Sequence, residues 1–237
     1  MTTEAPQTLD PARAQTGADA LVALALFQRL LVLHPDTGEL KPDAADCLFS
    51  QPAVYECTLV KGLAFGNGHA LSASDVKASI ERAQRLGAAG TSIALLRSLQ
   101  RIEVAGDQTV RFYLAWPDTQ FGVALAAPAA SIVDEESPDP VGSGPFTMLA
   151  SDASGMTFGQ NPAYLGATKA GTPLVRLAFA ADSAAVERAM ADSSVDVVWR
   201  SLDAAALARL ASGTTKTDLV ATGVPDARME RLIWNPA

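Results

Sequence analysis

Apolar residues along this chain recur with two periods, and the switches between them mark out the predicted elements. From Ala18 to Leu33 the residues Leu21, Leu24, Ala25, Phe27 and Leu31 fall at helical spacing, which predicts a helix running into a short strand. The turn-prone run His34-Pro35-Asp36-Thr37-Gly38 stops it. Residues 1–17 show neither period and read as an irregular lead segment with a turn at Leu9-Asp10-Pro11. Tyr55 to Val60 reads as a strand and Gly66-Asn67-Gly68 as a turn. Ser72 is then an N-cap candidate, with Asp75 placed three residues on as the capping acid. Val76, Ile80 and Ala83 form the apolar stripe of the helix that follows, and Gly87 to Gly90 end it. Phe65, Val76 and Ile80 are expected in the core.

Alternation takes over further on. Ser98 to Val104 and Thr109 to Leu114 flank Ala105-Gly106-Asp107-Gln108 and predict a hairpin. A short helix is expected over Thr119 to Ala127, then a proline-rich connection from Pro138 to Pro145, then a second hairpin from Phe146 to Ala150 and Met156 to Gln160. In the last third, predicted strands at Leu174 to Phe179, Val195 to Trp199, Asp218 to Ala221 and Arg231 to Trp234 are interleaved with helices at Ser183 to Ala191 and Leu202 to Leu210. That rhythm argues for βαβ units around a mixed sheet, so the class is α/β or α+β.

Composition narrows the partners. The 237 residues, 49% hydrophobic and 19% charged, suffice for a folded core. A formal net charge of −8 repels phosphate backbones and argues against nucleic acid. The apolar run Leu21 to Leu33 carries Gln28 and Arg29 and is too short to span a bilayer. Met1 to Pro6 lacks the features of a signal peptide, which leaves a cytosolic protein or an exported one whose signal is removed from this chain. Cys47 and Cys57, ten apart around Ser50-Gln51-Pro52, allow two readings: two unrelated buried thiols, or a disulfide across a hairpin-like excursion. His34 and His69 form no zinc-ligand spacing with them.

Enzyme templates find no match. Gly142-Ser143-Gly144 is not a nucleophile elbow, since Pro145 follows where a helix would begin. No phosphate loop, dinucleotide fingerprint or HExxH motif is present. The acidic run Asp134-Glu135-Glu136 reads as a solvated loop, because no further carboxylates are spaced to complete an oxygen cage. No enzyme, no metal site and no cofactor is therefore expected.

Several stretches, taken in order, resemble the family 5 extracellular solute-binding proteins, which bind dipeptides, oligopeptides or nickel for ABC importers. Leu9-Asp10-Pro11-Ala12 and the helix into Leu30-Leu31 resemble that family's opening, where "DP" precedes a helix ending in "GL"; here Arg29-Leu30 replaces the usual glycine. Lys41-Pro42-Asp43-Ala44-Ala45 is similar to its "P-D-L-A-E" step. Tyr55 to Arg82, through Cys57, Gly62, Phe65, Asn67-Gly68, Leu71-Ser72 and Asp75-Val76, is similar to a strand, a glycine turn and "DG-x-x-L-T-A-x-D-V", with Asn67 in place of the usual Asp. Val141-Gly142-Ser143-Gly144-Pro145-Phe146 resembles "G-T-G-P-Y", Asn161-Pro162-x-Tyr164 resembles "N-P-x-Y", and Asp196-Val197 resembles the "G-E-V-D" step.

The resemblance implies a periplasmic-binding-protein-like lobe of type II, a mixed sheet with flanking helices and a β-rich subdomain. Residues of about 1–45 and 160–237 would form the main α/β part, and 46–159 an inserted subdomain. Members of the family are about twice this length, so the second lobe is expected to be absent, and with it the acid that meets a peptide's N-terminus. Similar cysteine pairs occur in actinobacterial-looking members, which implies a Cys47–Cys57 disulfide and a home outside the cytoplasm, periplasmic or lipid-anchored. The implied function is capture of peptides or similar small solutes between two lobes and delivery to a membrane permease. A sensor lobe of a regulatory protein and a nickel-chelate or haem carrier are the alternatives. Candidate ligand contacts are Gln15, Thr16, Gly17 and Asp19 in the lead segment, with Trp199 and Arg200 at the end of a predicted strand; core packing for Trp199 and a surface charge for Arg200 are the competing readings. Gly142, Gly144 and Pro145 are expected as structural turn residues. Half a clamp is expected to bind ligand weakly or not at all and to leave cleft surface exposed to self-association, which light scattering would detect.

Overall fold

In the computed structural model, which describes residues 1–87, 91–137, 139–167 and 169–211, the chain opens on a 3-10 turn at Pro11–Arg13 whose Asp10 cap replaces the simple turn expected there. Helix α1 (Gly17–Leu26) follows a capping box: the Thr16 hydroxyl accepts from the Asp19 N–H at 3.0 Å, and the Asp19 carboxylate accepts from the Thr16 N–H at 3.0 Å. Strands β1 (Leu31–Leu33) and β2 (Leu40–Pro42) make a small antiparallel pair around the His34–Gly38 turn.

Strands β3 (Ala45–Gln51) and β4 (Val54–Leu59) form a hairpin that puts Cys47 directly opposite Cys57, and the two are joined in a disulfide. Helix α2 (Ala73–Leu86) starts as expected, with the Ser72 N–H donating to Asp75 at 2.7 Å. Strands β5 (Leu99–Val104) and β6 (Thr109–Leu114) complete a four-stranded antiparallel sheet in the order β3-β4-β6-β5. The helix expected over 119–127 is only one turn, α3 (Phe121–Ala124). Strands β7 (Phe146–Asp152), β8 (Gly155–Gln160) and β9 (Leu174–Ala178) form a second, three-stranded antiparallel sheet, followed by helices α4 (Ser183–Ala191) and α5 (Ala204–Ala211).

Two apolar cores result among the described residues. The larger lies between the four-stranded sheet and α2: Tyr55, Cys57, Ile102, Val110 and Phe112 meet Val76 and Ile80, with Phe65 and Phe121 closing the end. Phe65, Val76 and Ile80 are all buried, as the periodicity required. The smaller core sets Val22, Leu26 and Phe27 of α1 against Met156 and Phe158 of β8 and Leu177 of β9.

Two readings need correction. Residues 195–199 do not form a strand in a ladder; Val197 and Trp199 are bonded instead to the chain start, because the neighbour offered to them is the short segment Met1–Thr3. The named strand pairs among the described residues are also all antiparallel rather than βαβ, and parallel pairing is confined to a bridge between Thr2 and Phe179. The strands expected at 218–221 and 231–234 lie outside the described residues.

A candidate ligand-facing junction at the start of the first helix

The first and last described segments meet at one place. Met1 donates its amino group to Val197 O at 2.7 Å, and the Trp199 N–H donates to Met1 O at 3.1 Å. On the other side the Thr2 N–H donates to Ala178 O at 3.0 Å and the Ala180 N–H donates to Thr2 O at 2.8 Å. Thr3 adds a bond to the Ser201 hydroxyl at 2.9 Å. The lead segment thus lies between β9 and residues 197–201 and holds both in register. No sequence signal exposes this, because Thr2 and Thr3 carry no apolar period; their pairing is fixed only by what lies on either side.

This arrangement brings Trp199 to Gly17. A Cβ placed on Gly17 would lie 2.8 Å from Trp199 Cη2, so a side chain at this first turn of α1 would push the indole aside. Trp199 is half-buried, and the Arg200 guanidinium sits 5.4 Å from its ring with the Arg200 backbone at φ 50°, a left-handed conformation rare outside glycine. Gln15, two residues before Gly17, is exposed, and Thr16 and Gly17 are half-buried. Candidates from the two ends of the sequence therefore meet at the Gly17–Trp199 contact, where an aromatic face with a cation beside it lies at a helix start.

Asp19 has a different part. Its carboxylate is buried and accepts four backbone N–H groups, from Gln7 at 2.6 Å and Thr8 at 3.1 Å on one oxygen and from Gln15 at 3.1 Å and Thr16 at 3.0 Å on the other. Burial works to raise its pKa, but these hydrogen bonds, led by those from Thr16 and Gln15, outweigh it and hold the carboxyl below its ordinary value. Asp19 pins the lead segment in its path; its oxygens are occupied by main chain. A second clamp is the Arg82 guanidinium, paired with both Asp10 oxygens at 2.8 and 2.7 Å. Burial again opposes the effect, yet that pairing keeps Asp10 below its ordinary pKa.

The motif residues turn out to contact one another. The Tyr164 hydroxyl donates to buried Asp43 at 2.5 Å, and the Ala167 N–H donates to the same oxygen at 3.2 Å. The Asn161 amide donates to Gly144 O at 2.8 Å. Gly144 in turn donates to Leu26 O at the end of α1, where a Cβ on Gly144 would lie 2.6 Å from that oxygen and one on Gly142 only 2.2 Å. These steps interlock as structure. Buried Arg29 and Asp43 line a cavity of about 290 Å³ at this end of α1, the opposite end from Gly17.

Comparison with known proteins places this architecture. A family model described as bacterial extracellular solute-binding proteins, family 5 Middle, matches residues 40–237. The chain is 31% identical over 183 residues to the probable D,D-dipeptide-binding periplasmic protein DdpA of Escherichia coli, covering 68% of this chain and 35% of that protein. It is 28% identical over 151 residues to the glutathione-binding protein GsiB of Salmonella choleraesuis, covering 60% and 30%. Among solved structures, OppA of Burkholderia pseudomallei superposes with a TM-score of 0.80 at 16% identity, over 90% of this chain and 47% of that one. The fold is therefore a mixed helix-and-sheet lobe of the type II periplasmic binding class. The chain belongs to the family 5 extracellular solute-binding proteins. It spans about a third of the length of the curated relatives it matches. Those relatives are solute-binding proteins rather than enzymes, and members of the family are periplasmic or extracellular components of ABC importers.

Proposed function

We propose that this chain is one lobe of a peptide-capturing component of an ABC importer, and that the Gly17–Trp199 junction faces the ligand. Family membership supports the first part. The observation that carries the second is that Trp199, with Arg200 by its ring, comes against Gly17, next in sequence to Gln15 and Thr16, although the chain separates them by some 180 positions. A half-buried indole with a cation beside it suits a small solute with an apolar or aromatic group and a charged end. Asp19 acts in this reading as a positioning residue, holding Gln15 and Thr16 in place rather than touching ligand. The division proposed is a main part of about 1–45 and 160–237 and an inserted part of 46–159; the larger core lies mostly within the inserted part, while Met156 and Phe158 of that part pack on α1 in the smaller core. A second lobe would close over the patch and pass the solute to a permease, and the protein would work outside the cytoplasm, free or lipid-anchored. The relatives favour peptides over a sensor role or a haem or nickel-chelate cargo.

The test is Gly17→Leu in a protein carrying both lobes, with short-peptide affinity measured by calorimetry. Displacing Trp199 should weaken binding about tenfold, ~1.4 kcal/mol, with the melting temperature little changed. Unchanged affinity would remove the junction from the site.

A further inference from the structure

The acidic run Asp134-Glu135-Glu136 has no completing ligand nearby in sequence, but the fold brings one from 65 positions earlier. His69 follows the Gly66-Asn67-Gly68 turn, and its Nδ1 lies 2.8 Å from Asp134 Oδ2 and 4.0 Å from Glu136 Oε2. The three donor atoms fall within 4.8 Å of one another, the single such group of histidine, cysteine or carboxylate side chains among the described residues. Ligand atoms bound at roughly 2.0–2.2 Å to one ion would need little rearrangement from this. Only Glu136, exposed at the surface, has to swing inward.

The other two donors are held. Asp134 is buried, and its backbone bridges Val141. Its Oδ1 accepts from the Glu136 N–H at 3.0 Å, and its Oδ2 accepts from the Asn67 amide at 2.7 Å. Asn67 stands where the family resemblance leads one to expect Asp. An aspartate could not donate to Asp134 and would repel it, whereas the amide orients the carboxylate as an outer partner of a metal ligand does. Asn67 Oδ1 also accepts from the His69 N–H at 3.1 Å, fixing the backbone that carries the imidazole.

We propose that His69, Asp134 and Glu136 bind a divalent first-row transition-metal ion. One imidazole and two carboxylates suit zinc, nickel or cobalt better than magnesium or calcium, which favour oxygen alone. On binding, the His69 Nδ1 lone pair takes the metal, the ring proton resides on Nε2, and water fills the remaining positions. The ion ties the 66–69 turn to residues 134–136 and so stabilises the lobe by mass action. None of these residues belongs to the Gly17–Trp199 junction, so the site stands independently of the proposed ligand.

Calorimetric titration of chelator-stripped protein with zinc tests this, with cobalt(II) absorption as a second readout. One saturable site and a zinc-dependent rise in melting temperature are expected, with no response to magnesium. Glu136→Gln and His69→Gln should each weaken zinc binding at least about tenfold, since even outer partners of a ligand contribute 10–100-fold. Both residues are substantially exposed, so the variants should fold, which circular dichroism verifies. Glu135→Gln is the control: that carboxylate is turned toward Arg82 at 3.9 Å and Arg85 at 3.8 Å, and its loss should leave affinity unchanged. No saturable uptake, binding that survives either ligand substitution, or equal losses in the Glu135 and Glu136 variants would overturn the site; the last would mark general attraction to an acidic surface.

Discussion

The two sheets of this lobe are held in different ways. The four-stranded sheet is two local hairpins paired through β4 and β6 and packed on α2, with Phe112 and Val110 fully buried and a disulfide joining its two first strands. The three-stranded sheet has one helix, α1, across it and leaves Met148, Leu149 and Leu174 exposed. Its outer margin is completed by Met1–Thr3 and residues 197–201, segments far apart in sequence. The first region carries the larger core and the disulfide; the second leans at its margin on segments from the two ends of the described chain, and the proposed ligand patch sits on that second region. Binding surfaces are commonly drawn from the less stable parts of a fold, and the contrast here follows that rule.

Substitutions can widen or narrow this contrast. The largest effect should come from Phe112→Ala, which empties a site lined by Phe121 at 5.5 Å between ring centres and should cost about 3–5 kcal/mol in chemical denaturation. A much smaller loss would mean the larger core is looser than its burial implies. Replacing both cysteines by serine should cost roughly 3 kcal/mol, the loop-closure value for a short bridged loop, and should spare the geometry of the ligand patch. Native-state hydrogen exchange of that variant should therefore show opening accelerated more in β3 and β4 than in β7 to β9; uniform acceleration would merge the two regions into one unit.

A smaller effect, centred on the second region, is expected from Asp19→Ala, about 2–3 kcal/mol, because four main-chain donors lose one charged acceptor. The same carboxylate predicts an acid limb. Its folded pKa lies below the ordinary value of 3.8. Its stabilisation is thus complete above that value and is lost as pH falls through the lower folded value. Asp10, depressed through Arg82, adds in the same direction. Unfolding followed between pH 5 and pH 2 should show a shallower acid dependence in the Asp19→Ala variant; an unchanged slope would assign the acid limb to other carboxylates.

The same division explains what could be read from the sequence. The hairpin of β5 and β6, helix α2 with its Ser72–Asp75 cap, and helix α4 carry their signals within a dozen residues, and each lies where periodicity and turn chemistry put it. Strand β3 went unread because Asp46, Ser50 and Gln51 break alternation on an edge strand whose outer positions face solvent. The lead segment and residues 195–199 define each other across most of the described chain, a pairing no local window contains. For the candidate site, the residue types were legible one at a time. Their convergence at Gly17, and the capture of Asp19 by main-chain donors, required the fold. His69 and Asp134 illustrate the same limit, since a spacing of 65 carries no ligand signature.

The central claim is that this lobe supplies one face of a two-faced peptide clamp. A thermal-shift titration with a pool of di- and tripeptides tests it most directly, run in parallel on this chain and on a protein that also carries the second lobe. The account predicts a concentration-dependent rise for the two-lobed protein and little or none for this chain, since a ligand stabilises only the state that binds it. A rise in neither would contradict peptide capture, and an equal rise in both would contradict the need for a second face.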